Sequence, residues 1–501
     1  MNLRILSLVL SGSLQAATYY VAPTGADSNP GSVSLPFQTI QAGVNAAGAG
    51  DTIIVQDGTY SAPSSCTDPN GSMAVNIGKA GTASAPITLM AANKWKAVLD
   101  AQMLCHSYIN FQEASAWWII QGFEIKNGYS GGVWSNSGGG KNVTLRGLHI
   151  HNIGNRSNST TTGEVGIYTD SGAVMTVDGA LIHDVGRTNS AGNSFDHGIY
   201  SHGNLTIVNS VFYNALSGWH IQTALDFSGL IANNTFSGPN MSGGKNGQIM
   251  LWDVDGSVTI RNNVFYGSNG TALEQAGFAL QAGATCSVDT NIIQGSGVTL
   301  GAPSVCAASN NRLGLDPLFA GTLDFHLTAG SPAIDTGVSV SQAPVDFDGV
   351  ARPQGTAYDV GAYEFKAAVP VSAPVLTLGY SFANQKVGST SKVQYVTVTN
   401  TGTGSLTFTS FVWAGDFIPA GLGTCGTGTL LAQSASCTIS VQFKPASAGV
   451  RTGSVTITDS APGSPHVVMF TGSGTTTFLA KMRRLFFGGA FLGAAGAHRE
   501  W

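Results

Sequence analysis

Charged side chains are scarce in this chain, which limits the partners it can have. They make up 10% of the 501 residues, and the formal net charge of −5 comes with an isoelectric point near 6.0. Domains that bind nucleic acid usually carry clustered positive charge, so we expect no nucleic-acid partner. Long helical periodicity is also lacking. Instead, 66 glycines, together with asparagines and β-branched residues, favour many short strands joined by tight turns.

The apolar runs at the two ends of the chain are short. The C-terminal run LFFGGAFLGAAGA (485–497) has about 13 residues, whereas a membrane-spanning helix needs about 20. We therefore expect the tail 475–501 to be an anchoring or sorting segment, or a disordered end, without a stable membrane span. At the N-terminus, Arg4, the apolar run Ile5–Leu10 and a small-residue cleavage site predict a secretory signal peptide over residues 1–17. The alternative is a buried first strand. A signal peptide predicts a secreted or cell-surface protein.

Cysteines are few, and none has the spacing of a zinc finger. Along the sequence they fall into three separated pairs, which are Cys66 with Cys105, Cys286 with Cys306 and Cys425 with Cys437. Six cysteines permit fifteen connectivities, of which three local disulfides within these pairs are the simplest. Disulfides persist in exported proteins, so the cysteines agree with a signal peptide.

An internal repeat organises the middle of the chain. Seven segments each contain two runs of alternating apolar residues around a polar or glycine corner: WIIQGFEIKNG from Trp118, VTLRGLHIHNI from Val143, MTVDGALIHDV from Met175, LTIVNSVFYNA from Leu205, GLIANNTFSGP from Gly229, VTIRNNVFYGS from Val258 and CSVDTNIIQGS from Cys286. Their starts lie about 24 to 32 residues apart, too close for the blades of a propeller. This pattern predicts the coils of a β-solenoid, in which like residues stack on like residues.

Asparagines recur at two adjacent corner positions of the repeat. They are Asn209, Asn233 and Asn262 at the first position and Asn234, Asn263 and Asn291 at the second. Stacked asparagine side chains can hydrogen-bond to each other and to the backbone of the turn. We therefore interpret these residues as a structural asparagine ladder.

A third strand lies between successive repeat segments. It reads GGVWSN (131–136), VGIYTD (165–170), HGIYSH (197–202) and SGWHIQT (217–223), with weaker versions at GQIMLW (247–252) and GFALQ (277–281). Three strands per coil predict a right-handed parallel β-helix.

Both ends of this region resemble known β-helix proteins. Residues 19–60, YYVAPTGADSNPGSVSLPFQTIQAGVNAAGAGDTIIVQDGTY, resemble the N-terminal segment of the pectate-lyase-like parallel β-helix superfamily, in which a short helix, here about Gln38–Ala47, caps the first coil. Residues 316–365, DPLF…DFHLTAGSPAIDTG…DFDGVARP…YDVGAYEF, resemble the closing segment of bacterial surface β-helix proteins of the choice-of-anchor Q type. The resemblance implies a β-helix over residues 18–366. It implies no single activity, because this scaffold carries lyases, hydrolases, epimerases and adhesins.

A second domain is predicted after a Pro/Ala/Val-rich linker at 367–374. Alternating strands recur at short intervals over residues 375–474 and predict a β-sandwich. The sequence resembles the choice-of-anchor D or ASPM/SPD-2/Hydin group of immunoglobulin-like domains. It contains no catalytic constellation, so we expect a spacer, adhesive or weak binding role.

Alternation along the third strand predicts two outward rows of functional side chains. The first row is Trp134, Tyr168, Tyr200 and His220, and the second is Asn136, Asp170, His202 and Gln222. Neighbouring strands lie about 4.8 Å apart, so both rows should form one compact patch. Aromatic rings pack on sugar rings, while His, Tyr and Asp side chains move protons. The patch predicts a groove that binds polysaccharide.

Two insertions should form a wall beside this patch. They are GNRSNSTTTG (154–163) and GRTNSAGNSFD (186–196), and each directly precedes a third strand. Insertions on one face of a solenoid often mark the binding face. Arg187, Asp196 and His197 are expected at or near this wall.

The residue types of the patch favour a polysaccharide lyase that acts on a uronic acid. His202 or His220 is the expected base, Tyr200 the acid, and Arg187 or a Ca²⁺ ion the group that neutralises the carboxylate. The first alternative is a glycoside hydrolase that uses Asp170 and Asp196 as its two carboxylates. The second is a non-catalytic carbohydrate-binding or adhesive β-helix. The multi-Asp and Gly-His-Gly pattern of pectin hydrolases and the Asp-Pro-His-Asp motif of mannuronan epimerases are absent.

No metal-ligating set is assigned from the sequence, and Ca²⁺ is the one cofactor considered. His149, His151 and His183 lie on another strand and are expected to be surface or corner residues. Four aspartates of the closing segment offer carboxylates for calcium, although turn capping is the favoured role. They are Asp335, Asp346, Asp348 and Asp359. We expect the protein to act as a monomer.

Overall fold

The computed structural model describes residues 16–69, 71–154, 163–186, 196–216, 218–225, 227–238, 248–252, 254–267, 273–275, 283–294, 306–366, 375–376, 380–402 and 404–476. The chain divides into two compact units, Met1–Lys366 and Ala367–Trp501. The predicted signal peptide and most of the C-terminal tail lie outside the described residues.

The first unit consists of short strands and one helix. Its elements are β1 (Thr18–Val21), α1 (Ile40–Ala46), β2 (Thr52–Val55), β3 (Gly58–Ser61), β4 (Met73–Ile77), β5 (Ile87–Ala91), β6 (Ala97–Asp100), β7 (Ser107–Phe111), β8 (Trp118–Gln121), β9 (Glu124–Lys126), β10 (Gly131–Ser135), β11 (Lys141–Arg146), β12 (His149–Ile153), β13 (Val165–Thr169), β14 (Val174–Asp178), β15 (Leu181–Val185), β16 (His197–Ser201), β17 (Asn204–Val208), β18 (Val211–Ala215), β19 (Ile221–Ala224), β20 (Gly229–Ala232), β21 (Thr235–Ser237), β22 (Ile249–Trp252), β23 (Ser257–Arg261), β24 (Val264–Tyr266), β25 (Leu273–Gln275), β26 (Thr285–Asp289), β27 (Ile292–Ile293), β28 (Ala307–Ser309) and β29 (Arg312–Leu313).

These strands form three parallel sheets that run the length of the unit. Sheet 1 has the order β1-β2-β5-β8-β11-β14-β17-β20-β23-β26-β28, sheet 2 has the order β4-β7-β10-β13-β16-β19-β22-β25, and sheet 3 has the order β3-β6-β9-β12-β15-β18-β21-β24-β27-β29. Each complete coil contributes one strand to each sheet. The predicted parallel β-helix with three strands per coil is therefore confirmed.

The seven repeat segments occupy the positions that the alternation predicted. Their first runs are the consecutive strands β8 to β26 of sheet 1, and their second runs are strands of sheet 3. The third strands form sheet 2, whose last described strand is Leu273–Gln275. The predicted strand GFALQ (277–281) lies outside the described residues.

The interior of the β-helix is a stack of apolar side chains. Phe236 lies between Phe212 and Phe265, with ring centroids 5.0 and 5.1 Å away. All three side chains are buried, and each such burial contributes about 2 to 3 kcal/mol. Helix α1 covers one end of this interior by burying Ile40 and Val44. It is shorter than predicted, because Thr39 caps its N-terminus by accepting the Ala42 N–H.

The asparagine ladder is present at the corner between sheets 1 and 3. The Oδ1 atom of Asn263 accepts hydrogen bonds from the backbone N–H and the side-chain amide of Asn234, at 3.0 Å each. Asn263 repeats this arrangement with Asn291 on the next coil. The adjacent Asn233 and Asn262 adopt left-handed backbone conformations with φ of 54° and 53°, which asparagine tolerates better than most residues. The ladder is therefore structural, as predicted.

The closing segment packs on the outer face of sheet 3. Val211 of β18 contacts a cluster that contains Phe325, Phe347 and Tyr363. A fully buried ion pair holds this segment together, since Arg352 Nη1 lies 2.7 Å from Glu364 Oε1 and neither side chain is exposed.

The second unit contains two sheets around one apolar core. Its strands are β30 (Val375–Leu376), β31 (Tyr380–Ser381), β32 (Gln385–Lys386), β33 (Gln394–Thr399), β34 (Leu406–Gly415), β35 (Phe417–Pro419), β36 (Leu430–Leu431), β37 (Ser436–Phe443), β38 (Gly449–Asp459) and β39 (His466–Thr475). One sheet has the order β30-β33-β37-β35 and the other β31-β39-β38-β34-β36. Buried Phe408, Phe417, Phe443 and Phe470 belong to the core between them.

All three predicted disulfides are confirmed. Cys66 pairs with Cys105, Cys286 with Cys306, and Cys425 with Cys437. Among the described residues, no helix is long and apolar enough to cross a membrane.

Candidate functional site

Aromatic side chains from three successive coils meet on the outer face of sheet 2. Trp134, Tyr168 and Tyr200 are register partners on β10, β13 and β16. The rings of Trp134 and Tyr168 stack with centroids 4.1 Å apart, and Tyr200 lies 5.9 Å from Tyr168. We call these three residues, together with His202, the aromatic ladder. All of them are partly exposed, so the predicted first row exists over these coils.

Glycines two residues before each ring let the coils approach closely. A Cβ atom at Gly132 would lie 2.8 Å from the carbonyl oxygen of Gly166 and 2.9 Å from the core atom Ile150 Cγ2. Gly166 and Gly198 have the same close contact with the backbone of the following coil. The chain therefore turns inward at these positions before the rings project outward.

His220 occupies the glycine position on the next coil, and the prediction that it faces outward is wrong. Ile199 pairs with Ile221, so His220 aligns with Gly198 rather than with Tyr200. Its side chain is buried beside Phe212 and Phe236, and its Nε2–H donates to the carbonyl oxygen of Ser237 at 3.2 Å. Burial lowers the pKa of His220 to about 4. It is a neutral core residue that substrate does not reach.

Gln222 is also displaced from its predicted row. It pairs with Tyr200 and so continues the first row. Asn136, Asp170 and His202 follow the ends of their strands at equivalent positions and form the second row, as predicted. Three coils of aromatic rings are therefore followed by an amide rather than by an imidazole.

His202 lies at the centre of the ladder. Its ring is edge-on to Tyr200, with centroids 4.8 Å apart, and lies 6.0 Å from the ring of Tyr168. Its Nδ1 atom is 3.8 Å from Asp170 Oδ1. Its Nε2 atom is buried and has no hydrogen-bond partner among the described residues. Buried polar atoms are normally satisfied by protein, water or ligand, so this nitrogen calls for a partner that the described residues do not supply.

The two tyrosines of the ladder remain protonated at neutral pH. Burial, with help from the Asp170 carboxylate and Tyr200, raises the pKa of Tyr168 to about 12. Burial also raises the pKa of Tyr200 above its usual value. Each phenol can therefore donate a proton or a hydrogen bond.

Asp196 and His197 do not line the groove as predicted. Both are buried, and Asp196 Oδ1 accepts the backbone N–H of Glu164 at 2.9 Å. His197 stacks on Trp219 and accepts its backbone N–H on Nδ1, while burial lowers the pKa of His197 to about 3. These residues anchor the start of β16. Arg187 and most of the two insertions lie outside the described residues.

A second cluster lies on the outer face of sheet 3 and was missed by the sequence analysis. His149 and His151 project from β12, and His183 pairs with His151 on β15. Their ligand nitrogens all lie within 4.8 Å of one another. Burial lowers the pKa of His149 to about 3 and also lowers that of His183. The sequence contains a signal for this cluster. The His-Ile-His segment places the rings of His149 and His151 on one face of a strand, and a coil of about 32 residues separates His151 from His183.

The described carboxylates do not fit a calcium site. Calcium prefers six to eight oxygen ligands. Asp346 Oδ1 accepts the Val350 N–H and Asp359 Oδ1 accepts the Asp335 N–H, at 2.8 and 2.7 Å, so the favoured role in turn capping is confirmed for these two. Within the part of the chain that the structure describes, the three histidines are the only set of three or more His, Cys, Asp or Glu residues whose ligand atoms converge.

The family match falls in the β-helix. The family described as Pel9A-like, right handed beta helix region, matches residues 19–235. Pectate lyase PEL9 of Emericella nidulans is 38% identical over 89 residues, 18% of this chain and 20% of the relative. Pectate lyase L of Dickeya chrysanthemi is 32% identical over 133 residues, 25% of this chain and 30% of the relative. The chain thus spans less than a third of either relative.

The crystal structure of pectate lyase Pel9A is similar over 71% of this chain and 98% of its own, at 20% identity and a TM-score of 0.49. The predicted choice-of-anchor Q segment and immunoglobulin-like identity of the second unit remain predictions. Residues 19–235, by contrast, match the family described as Pel9A-like, right handed beta helix region.

Proposed function

We propose that this protein is an exported polysaccharide lyase that cleaves a uronic-acid-containing glycan by β-elimination at the aromatic ladder. The observation that carries the proposal is the position of His202, whose unpartnered nitrogen lies beside the protonated phenol of Tyr200. One coil supplies both a proton acceptor and a proton donor. The similarity of the β-helix to pectate lyases supports the same reaction class.

The reaction requires two proton transfers, one from C5 of the uronic acid and one to the departing oxygen. His202 removes the C5 proton of the uronic acid, the C4–O bond breaks, and a double bond forms between C4 and C5. The phenol of Tyr200 protonates the departing oxygen. General acid–base catalysis of this kind contributes about 10² to 10⁴ in rate. The Asp170 carboxylate lies beside this base, with its Oδ1 atom 3.8 Å from His202 Nδ1.

Trp134 and Tyr168 would bind the glycan rather than react with it. Their partly exposed rings form one stacked surface directly beside the proposed acid and base. Sugar C–H groups pack on such surfaces, and the amides of Asn136 and Gln222 can bond to hydroxyl groups. The proposed subsite therefore extends along the β-helix axis, the direction in which a linear polysaccharide would run.

The uronate carboxylate also needs a neutralising group. Arg187 is the candidate from the sequence, in the insertion before β16. No step is assigned to Ca²⁺, because the described carboxylates do not form a site for it. The three disulfides support export, since such bonds persist in oxidising compartments.

Two alternative functions differ from the proposed lyase in their chemistry. The hydrolase pair is disfavoured, because Asp196 is buried and holds a backbone amide, whereas a hydrolase needs two carboxylates at the scissile bond. A non-catalytic binding surface would use the same aromatic rings without proton transfer.

Product analysis separates these functions. Pectate, alginate and glycosaminoglycans are incubated with the full chain, and near-ultraviolet absorbance is followed for unsaturated products. We expect a rise with at least one polymer, and a loss of about 100-fold or more in turnover for His202→Ala and Tyr200→Phe. His326→Ala and Tyr395→Phe, outside the ladder, are matched controls that should retain turnover. Reducing ends without unsaturation would establish a hydrolase, and binding without products would establish an adhesive role.

A further inference from the structure

The three histidines on sheet 3 form a cluster because of the β-helix geometry. His149 and His151 are two residues apart on β12, so both project from the outer face. His183 is the register partner of His151 on β15, and adjacent strands lie about 4.8 Å apart. The rings of His151 and His183 are stacked at an interplanar angle of 7°. Two coils thus place three imidazoles on one small area of surface.

The nitrogen atoms of this cluster face each other. His149 Nε2 lies 2.8 Å from His183 Nε2, and all three residues contribute a ligand atom to a group no wider than 4.8 Å. His151 Nε2 lies 3.2 Å from Glu124 Oε1. The Glu124 carboxylate therefore lies beside His151, at one side of the cluster.

A carboxylate behind His183 fixes its tautomer. Asp184 Oδ2 lies 2.6 Å from His183 Nδ1, so Nδ1 carries the proton and Nε2 presents its lone pair to the cluster. Asn214 Nδ2 donates to the other oxygen of Asp184 at 2.9 Å. Metal-binding histidines commonly have a carboxylate in this position, where it orients the ring and strengthens the ligand.

Aromatic rings enclose the cluster on two sides. The ring of Trp95 lies 5.0 Å from His149, and Tyr213 stacks on His183 at 4.4 Å. The three histidines are half-buried rather than free in solvent. Their side chains therefore start from restricted positions, which reduces the entropy lost when they bind a ligand.

We propose that His149, His151 and His183 bind a divalent transition-metal ion of the zinc type. Three imidazoles match a ligand set that Zn²⁺ uses in proteins, where a water molecule takes the fourth tetrahedral position. Zn–N distances of about 2.0 to 2.1 Å require ligand nitrogens roughly 3.4 Å apart. His149 and His183 need to separate by only about half an ångström to meet this. The ion would bind two successive coils to each other and stabilise the β-helix.

Titration of the full chain with ZnCl₂ tests this site. The protein is first dialysed against a chelator and then buffer, and binding is measured by calorimetry and thermal unfolding. We expect one equivalent bound and a rise in Tm that grows with Zn²⁺ concentration. Replacement of Zn²⁺ by Co²⁺ should give the intense visible absorption of a tetrahedral centre.

Variants locate the bound ion. His151→Ala and His183→Ala should remove the high-affinity site, and Asp184→Asn should weaken it about 10- to 100-fold while retaining all three histidines. His326→Ala is the matched control, because His326 also contacts carboxylates, those of Asp324 and Asp348, but lies outside the cluster. This variant should bind Zn²⁺ normally. Far-ultraviolet circular dichroism confirms that each variant is folded. Absence of binding, or equal affinity in His151→Ala, His183→Ala and the unmodified chain, would overturn the proposal. The readout is independent of polysaccharide cleavage.

Discussion

The ring of Tyr168 lies against the ring of Trp134, with centroids 4.1 Å apart and planes 23° from parallel. The two residues are 34 positions apart in sequence but are direct register partners on adjacent coils. Their contact turns two strands into one aromatic surface, on which His106 packs edge-on at the Trp134 end. A glycan bound here would contact successive coils rather than one loop.

Trp134→Ala should weaken glycan binding more than it affects folding. Loss of the indole removes the stacking partner of Tyr168 and part of the proposed sugar surface, and aromatic pairs are worth about 0.5 to 1.5 kcal/mol beyond their buried area. We expect oligosaccharide Kd to rise about tenfold, which corresponds to about 1.4 kcal/mol. Calorimetric titration measures this. Tyr395→Ala, at an exposed tyrosine of the second unit, is the control, and equal Kd values in the two variants would contradict the ladder.

His220→Ala should destabilise the β-helix, although His220 takes no part in the proposed reaction. The imidazole is buried next to Phe212 and Phe236, and its removal leaves a cavity and an unpaired carbonyl oxygen at Ser237. Such substitutions cost about 2 to 5 kcal/mol. Urea denaturation gives the free energy of unfolding. His202→Ala, which is partly exposed, should cost less than about 1 kcal/mol, and similar losses for both histidines would show that His220 is not in the core.

Asn263→Ala should break the asparagine ladder at its centre. The side chain accepts two hydrogen bonds from Asn234 and donates to the carbonyl oxygen of Ile231, all in the interior. Each buried group left unpaired costs about 1 to 3 kcal/mol, so we expect a loss of about 3 kcal/mol in the free energy of unfolding. Asn93→Ala removes an exposed amide that bonds to Asp57 and should cost less than about 0.5 kcal/mol. Denaturation of both variants measures the two losses in the free energy of unfolding and shows whether they differ.

The pH dependence of stability should change in His326→Asn. Partial burial opposes the charge of this ring, but hydrogen bonds to Asp348 and Asp324 raise the pKa of His326 above its usual value. The hydrogen bonds to His326 lower the pKa of Asp324. The histidine contribution is therefore fully present below pH ~6.5 and lost as pH rises through the raised pKa, and the aspartate contribution is lost as pH falls through the lowered pKa.

The greatest difference from the unmodified chain should thus appear between about pH 4 and 6.5. It should stay below about 1 kcal/mol, because these side chains are about half exposed to solvent. Thermal unfolding across this pH range tests the prediction. A difference that grows toward pH 9 would have the wrong sign.

The errors in the predicted site have one physical cause. Alternation along the third strand predicted that His220 aligns with Tyr200, yet the register pairs Tyr200 with Gln222. A shift of two residues preserves the alternation of a strand, so the pattern alone does not reveal it. His220 aligns with Gly198 instead, and its side chain is buried in the core. Burial of Asp196 and His197 likewise depends on neighbours that are distant in sequence, such as Glu164 and Trp219.

The sequence by itself determined the three-strand coil, the asparagine ladder and the three disulfides. Each of these depends on a short repeat or a short spacing: apolar side chains alternate with a period of two, and like residues recur about once per coil. Only the tertiary structure decided which polar residues share a surface. Strand register brings Trp134, Tyr168 and His202 together on sheet 2, and it brings His149, His151 and His183 together on sheet 3. Stacking joins residues that are a whole coil apart. Because the coils differ in length, the spacing of residues in the sequence does not show which of them will be neighbours.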